Sequence, residues 1–157
     1  QGTYRDAEAA WNYLVQVRKK DRQEIVVFGR SLGGSIAAWV SQVNKPRVLI
    51  LESAFTSLRE AARDRLPGIF VKLLVPDQYR TLQFLTMVHC PVLILHSPED
   101  EIIPFRHGRA LYAAANEPKE LVELHGSHNR GFLESQPLYE AALDSFLSKY
   151  LGRKKEQ

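Results

Sequence analysis

The chain holds one cysteine, Cys90, and one methionine, Met87, among its 157 residues. A lone cysteine excludes an intramolecular disulfide framework and any multi-cysteine zinc site. Its place before Pro91, at the start of an apolar run, reads as a small buried hydrophobe rather than a nucleophile. No stretch approaches the roughly 18 apolar residues that a membrane span needs. An excess of charge is lacking too: 21 Lys and Arg stand against 18 Asp and Glu, a net +3. Arg153-Lys154-Lys155, at the C-terminus, reads as a solvated end. With no basic stripe and no nucleic-acid motif, nucleic acid is not an expected partner. Gln1-Gly2-Thr3 has no initiator Met, no charged n-region and no apolar h-region. The expectation is a chain that begins partway through a larger unit; the cytoplasm is favoured, but this end does not establish a location.

What is present is ordinary for a globular domain: 45% hydrophobic and 25% charged residues. A chain of this size buries ~68–70% of its unfolded surface, enough for one core. Ala7, Ala10, Trp11, Leu14 and Val17 recur at helical spacing, predicting a helix over 6–20 that starts at Asp6 and ends at Lys19-Lys20. Ile25-Val26-Val27-Phe28, Val48-Leu49-Ile50-Leu51 and Val92-Leu93-Ile94-Leu95 are short and apolar at every position, as in strands covered on both faces. Leu121-Val122-Glu123-Leu124 reads as a fourth strand with a charge in its middle. Helices are expected over 33–43, from Pro104 to about Ala115, and from Pro137, where Tyr139, Leu143, Phe146, Leu147 and Tyr150 line one face. Residues 53–87 are less regular, a lid-like insertion with one or two short helices broken at Pro67-Gly68 and Pro76-Asp77. With no repeat and no linker, 1–157 reads as a single domain. Alternating strands and helices predict an α/β fold, a parallel sheet with helices on both faces and right-handed crossovers.

Gly29-Arg30-Ser31-Leu32-Gly33 is a G-x-S-x-G, weak as a pattern but placed where a strand ends and a helix begins. That is the strand–turn–helix of a nucleophile elbow, which lifts Ser31 above the sheet. The glycines leave room where the turn brings backbone segments close. The Leu32 N–H, at a helix N-terminus, is aimed to receive an oxyanion. A serine needs a base, and the base an orienting acid. Asp100 and His128 follow the third and fourth strands, on loops at the edge where Ser31 lies, the ligand edge of an open α/β sheet. Glu99 and Glu101 beside Asp100 read as solvated, and His125 as a bystander of the base. Glu52 reads as a buried-edge carboxylate bonding backbone N–H groups. His89, His96 and His107 read as structural. No H-x-x-x-H pair with a nearby acid is present, so no metal is expected. Phe55, Leu66, Ile69, Phe70 and Leu73 have the spacing of plain core, with an acyl pocket as the alternative.

The segments Gly29–Gly34, Leu51–Ser57, Cys90–His96, Asp100–Pro104 and Gly126–Asn129, in this order, resemble the α/β-hydrolase superfamily. Among its groups the chain resembles most the Bem46-like serine hydrolases, relatives of the mammalian α/β-hydrolase-domain proteins 13 and 17, from about Thr3 to Tyr150. The resemblance implies Ser31 as nucleophile, Asp100 as acid, His128 as base, the Leu32 N–H as an oxyanion donor, and hydrolysis of esters or thioesters, in some members on acylated proteins. No cofactor is implied. It also implies that these four strands are the family's strands 5 to 8, the C-terminal half of its sheet. A family strand 3, and the loop after it that gives a second oxyanion donor, would then lie outside this sequence. The expected partners are an acyl ester or other small-molecule substrate and, at the open edge of the first strand, either the N-terminal half of the domain or a second copy. The alternative to an enzyme is a non-catalytic half-domain that pairs with another chain through that edge.

Overall fold

The structure is a computed structural model that describes residues 2–152; the basic tail falls outside the described residues. Its centre is a four-stranded sheet in the order β1-β2-β3-β4, with β1 at Val26–Arg30, β2 at Val48–Glu52, β3 at Val92–His96 and β4 at Lys119–Glu123. All three pairings are parallel. Such an arrangement requires crossovers, and helices supply them. α1 (Gly2–Asn12) precedes the sheet, and α2 (Leu32–Asn44) joins β1 to β2. α3 (Leu58–Arg63), α4 (Gly68–Leu74) and α5 (Thr81–Leu85) join β2 to β3. α6 (Arg106–Ala114) joins β3 to β4, and α7 (Gly131–Glu134) and α8 (Leu138–Leu151) follow.

The side-chain alternation of the strands divides the core in two. Leu49, Leu51, Val92 and Ile94 face Ala37 and Ala38 of α2, Leu85 of α5 and Leu111 of α6. Val48, Ile50, Leu93 and Leu95 face Phe146 of α8, with Leu143, Leu147 and Tyr150 packed around it. Every residue of β2 and β3 is buried. That accounts for their unbroken apolar sequence, and each such leucine or isoleucine gains about 1.5–3 kcal/mol by burial. Trp11, Ile25 and Val40 form a third cluster that fixes α1 against α2.

Three elements depart from their sequence patterns. α1 begins at Gly2, before Asp6, because Tyr4 is already packed on Trp39 and Tyr79. It widens into a π turn over Tyr13–Val17. β4 starts two residues earlier than its apolar run, since Lys119 pairs with Val92 and an outer strand tolerates polar residues. The region between β2 and β3 carries three helices instead of one or two. There Phe55 is core, but Leu66, Ile69, Phe70 and Leu73 are exposed, Leu73 at 80%. The plain-core pattern of that segment is therefore not fulfilled: α4 buries only Val71.

β1 is an outer strand written like an inner one. Phe28 is 47% exposed. Beside the strand runs an apolar groove of about 380 Å³ between α1, α2 and Val26–Phe28. No helix among the described residues is long and apolar enough to cross a membrane.

The glycines of the turn after β1 are not equivalent. A Cβ at Gly29 would lie 2.4 Å from the Gly33 carbonyl oxygen and 2.5 Å from Ala37 Cβ, and one at Gly34 would lie 2.6 Å from Ala54 Cβ. One at Gly33 would meet nothing within 4 Å, so the room expected at both glycines of the motif is needed at Gly29 alone. Gly29→Ala is expected to destabilise the fold by about 1–3 kcal/mol through overpacking. Gly33→Ala, inside α2, should be neutral or stabilising by up to about 1 kcal/mol. Denaturant unfolding of the two variants checks the contrast.

Candidate active site

Ser31 stands between β1 and α2 with φ 51° and ψ −120°, a conformation that costs a non-glycine residue about 1–3 kcal/mol and persists only when the surroundings impose it. The sheet imposes it from below, where the Ser31 N–H continues the ladder to the Glu52 carbonyl at 2.9 Å. The helix imposes it from above, where the Gly34 N–H reaches the Ser31 carbonyl at 3.0 Å. Leu32 is the first residue of α2, so its N–H has no acceptor one turn back and stays open beside the Ser31 hydroxyl.

The three residues expected on loops at this edge are brought together. His128 Nε2 lies 3.2 Å from Ser31 Oγ, and His128 Nδ1 lies 2.8 Å from Asp100 Oδ2. Asp100 is held by its own turn, its Oδ1 accepting the N–H groups of Ile102 at 2.9 Å and Ile103 at 2.7 Å. Both His128 and Asp100 are buried. Burial disfavours the Asp100 carboxylate, but donation from His128, Ile103 and Ile102 outweighs it and holds the group below the ordinary carboxylate range. The Nδ1 of His128 therefore donates to an anion, which leaves Nε2 free to accept from Ser31.

Other candidates take other places. His96 is fully buried beneath the Asp100 turn; its Nε2 donates to the Ile103 carbonyl at 2.8 Å, and burial lowers its pKa, so the ring is neutral. A Cβ at Gly108 would come within 2.7 Å of that ring, so this glycine lets α6 approach. His107 is buried between the Thr56 N–H at 3.2 Å from Nδ1 and Asp64 Oδ2 at 2.8 Å from Nε2, an anchor for the end of α3. His125 is exposed. Burial pushes the Cys90 thiol up to about 11, which leaves it inert at neutral pH. Among the described residues no group of three or more His, Cys, Asp or Glu side chains could hold a metal ion.

Glu99 and Glu101 are exposed, as expected, but they are not idle. Glu101 Oε2 accepts the His128 N–H at 2.9 Å, and Glu99 Oε2 accepts the Gly126 N–H at 3.1 Å. Glu52 is buried with side-chain partners in place of the expected backbone donors. Its Oε1 lies 3.0 Å from Arg30 Nε, and its Oε2 accepts the Tyr139 hydroxyl at 2.8 Å. Arg30 and Tyr139 escaped the sequence reading. The available signal was a pair of opposite charges, Arg30 and Glu52, at the C-terminal ends of consecutive strands.

The prolyl oligopeptidase family profile matches residues 1–154. The chain belongs to that family, within the α/β-hydrolase superfamily. It is 36% identical over 130 residues to the uncharacterized protein Rv2307c of Mycobacterium tuberculosis, covering 82% of this chain and 46% of that protein. It is 33% identical over 176 residues to the α/β-hydrolase domain-containing protein WAV2 of Arabidopsis thaliana, covering all of this chain and 57% of that one. The chain thus spans about half the length of these relatives. Among solved structures, the esterase domain of a Rhodothermus marinus protein superposes with a TM-score of 0.72 at 19% identity, over 95% of this chain and 70% of that one, which establishes the shared fold.

Stability should respond to acid in a defined way. The pKa of His96 lies lower in the folded state than its unfolded 6.5, so the unfolded chain takes up a proton that the fold refuses. The resulting loss begins as pH falls below about 6.5, and Asp100, depressed below 3.8, adds to it only at much lower pH. Thermal melts from pH 7 to pH 5 should show a falling midpoint. His96→Gln, which keeps a donor for Ile103 but does not titrate, should flatten that slope.

Proposed function

We propose that the chain carries the catalytic residues of a serine hydrolase that cleaves carboxylic esters or thioesters. The observation that carries the reading is the hydrogen-bonded row Ser31–His128–Asp100 beginning at a strained serine. In this mechanism Ser31 Oγ attacks the substrate carbonyl carbon while His128 Nε2 takes the hydroxyl proton. The carbonyl oxygen becomes an oxyanion, and the Leu32 N–H donates to it at the positive end of α2. Asp100 stabilises the imidazolium through Nδ1. The tetrahedral intermediate then collapses. The bond to the leaving group breaks, His128 returns its proton to the departing alkoxide or thiolate, and an acyl-enzyme remains on Ser31. Water repeats the sequence with His128 as base, releasing the acid and restoring the serine. The Rhodothermus marinus neighbour is an esterase domain, which agrees with this class of substrate.

A second reading, a non-catalytic half-domain, rests on the open edge of β1, where Phe28 and the groove beside it offer apolar surface to another strand. Its occupant would be the N-terminal half of the domain or a second copy. Sedimentation of the 157-residue chain addresses it, since a monomer with sharp cooperative unfolding would count against any need for that partner.

The hydrolase reading is tested with a fluorophosphonate probe and a p-nitrophenyl ester. Ser31→Ala should abolish both labelling and turnover without unfolding the protein; retained turnover in a clean preparation would remove Ser31 as nucleophile. Asp100→Asn should keep the fold and lower turnover by about 10⁴, the scale seen when the orienting carboxylate of such a triad is neutralised. Glu101→Gln, which keeps an oxygen to accept the His128 N–H, should change little.

A further inference from the structure

The residue that precedes the nucleophile is tied to the loop that carries the base. Arg30 ends β1 and pairs in register with Glu52 at the end of β2, on the face that α8 covers. Glu52 is buried, its side chain only 3% exposed, and a buried carboxylate demands a cation and hydrogen bonds. Tyr139, in the first turn of α8, supplies one hydrogen bond; Arg30, its Nε 3.0 Å from Oε1, supplies the charge. That Nε–H is not aligned for a hydrogen bond to the carboxylate, so the contact with Glu52 is mainly ionic. The directed donor of the guanidinium is Nη2, and it donates to the His128 main-chain carbonyl, with Asn129 Oδ1 at 3.5 Å. On the other side of the same residue, the His128 N–H is held by Glu101. Both peptide units that flank the imidazole are therefore fixed.

We infer that Arg30 is a positioning residue for His128, held in place by the buried Glu52–Tyr139 pair so that the base loop stays in register with the nucleophile turn. The inference rests on the reading of His128 as the base. Without the guanidinium, His128 loses the main-chain anchor that holds its imidazole in place between Asp100 and Ser31. A shift of about 1 Å in such a group lowers rates by about 100-fold. The competing explanation is that Arg30 merely neutralises Glu52.

The double replacement Arg30→Met/Glu52→Leu separates the two, because exchanging a buried ion pair for apolar side chains is commonly neutral or stabilising. In the full 157-residue chain, the double variant should keep a melting midpoint near that of the unmodified protein. Its fluorophosphonate labelling at Ser31 should slow by about 10- to 100-fold. Ester turnover should lose kcat with KM unchanged. Arg30→Lys, which keeps a charge beside Glu52 but lacks the fork, provides a second folded variant and should slow labelling in the same range. Proton NMR of the His128 Nδ1–H gives a readout that does not depend on activity: a downfield signal in the unmodified protein and in Ser31→Ala, broadened or lost in the Arg30 variants. Labelling at the unmodified rate, or an unchanged Nδ1–H signal, in either folded variant overturns the inference. If the unmodified protein itself does not label, the hydrolase reading fails, and the NMR signal alone then decides the role of Arg30.

Discussion

The parallel register of the sheet is the constraint on which the site depends. β2 and β3 are buried on both faces, so a slip of one residue would exchange the side chains that face α2 and α6 with those that face α8. With that register fixed, the C-terminal ends of the strands come out level, Arg30 beside Glu52 and His96 beside Glu123. The ladder then continues one residue past β1, β2 and β4. Ser31 N–H bonds to the Glu52 carbonyl, Ser53 N–H to the Leu95 carbonyl and Leu124 N–H to the His96 carbonyl, each at 2.9 Å. These bonds aim the loops before any side chain acts. The strained backbone of Ser31 is affordable because its N–H and carbonyl are both engaged by elements that cannot move independently.

Above that edge, the remaining problem is to hold a histidine that sits on a loop. Loops are mobile unless pinned, and this one is pinned repeatedly. The Ser135 hydroxyl accepts the His125 N–H at 2.7 Å and donates to the His125 carbonyl at 3.0 Å. Glu99, Glu101 and Arg30 take Gly126 and both sides of His128. Two of these groups come from the loop of Asp100, and one comes from the end of β1, next to Ser31. Each of the three loops is thus held by another as well as by its own strand. The spacing between the Ser31 hydroxyl and the imidazole is in this way a property of main-chain anchors as much as of the imidazole itself.

The parts of this arrangement legible in the sequence are those governed by local chemistry. Apolar runs located β1, β2 and β3; burial on both faces demands this of β2 and β3, while β1 carries the same pattern as an outer strand. Motif order located Ser31, Asp100 and His128, because each lies on the connection that leaves a strand and parallel strands share one C-terminal edge. What escaped depends on contacts between distant segments. Glu52 has the sequence environment of a strand end, and only the approach of α8 gives it Tyr139. Gly33 looks like the partner of Gly29 in the motif, yet only Gly29 faces a helix closely enough to exclude a Cβ. The apolar spacing of 66–73 is that of a core helix, but α4 packs mainly against α3 and turns most of that face outward.

The two borders of the sheet carry opposite signatures. β4 brings Lys119, Glu120 and Glu123 to its border, and Lys149 of α8 pairs with Glu120 at 2.8 Å. Charges of this kind blunt a strand edge against further pairing. β1 has no charge before Arg30 and no proline, and an apolar groove runs along it. Its valines already share in the cores on both faces, Val26 beside the α8 cluster and Val27 beside the α2 cluster, as those of an interior strand do. The Arg30 anchor and the open edge belong to this one five-residue strand, and Ser31 follows it at once. Any strand that paired with β1 would therefore stiffen the element from which Ser31 hangs, so the edge and the Ser31 turn are mechanically linked even though Ser31, Asp100 and His128 do not line the groove.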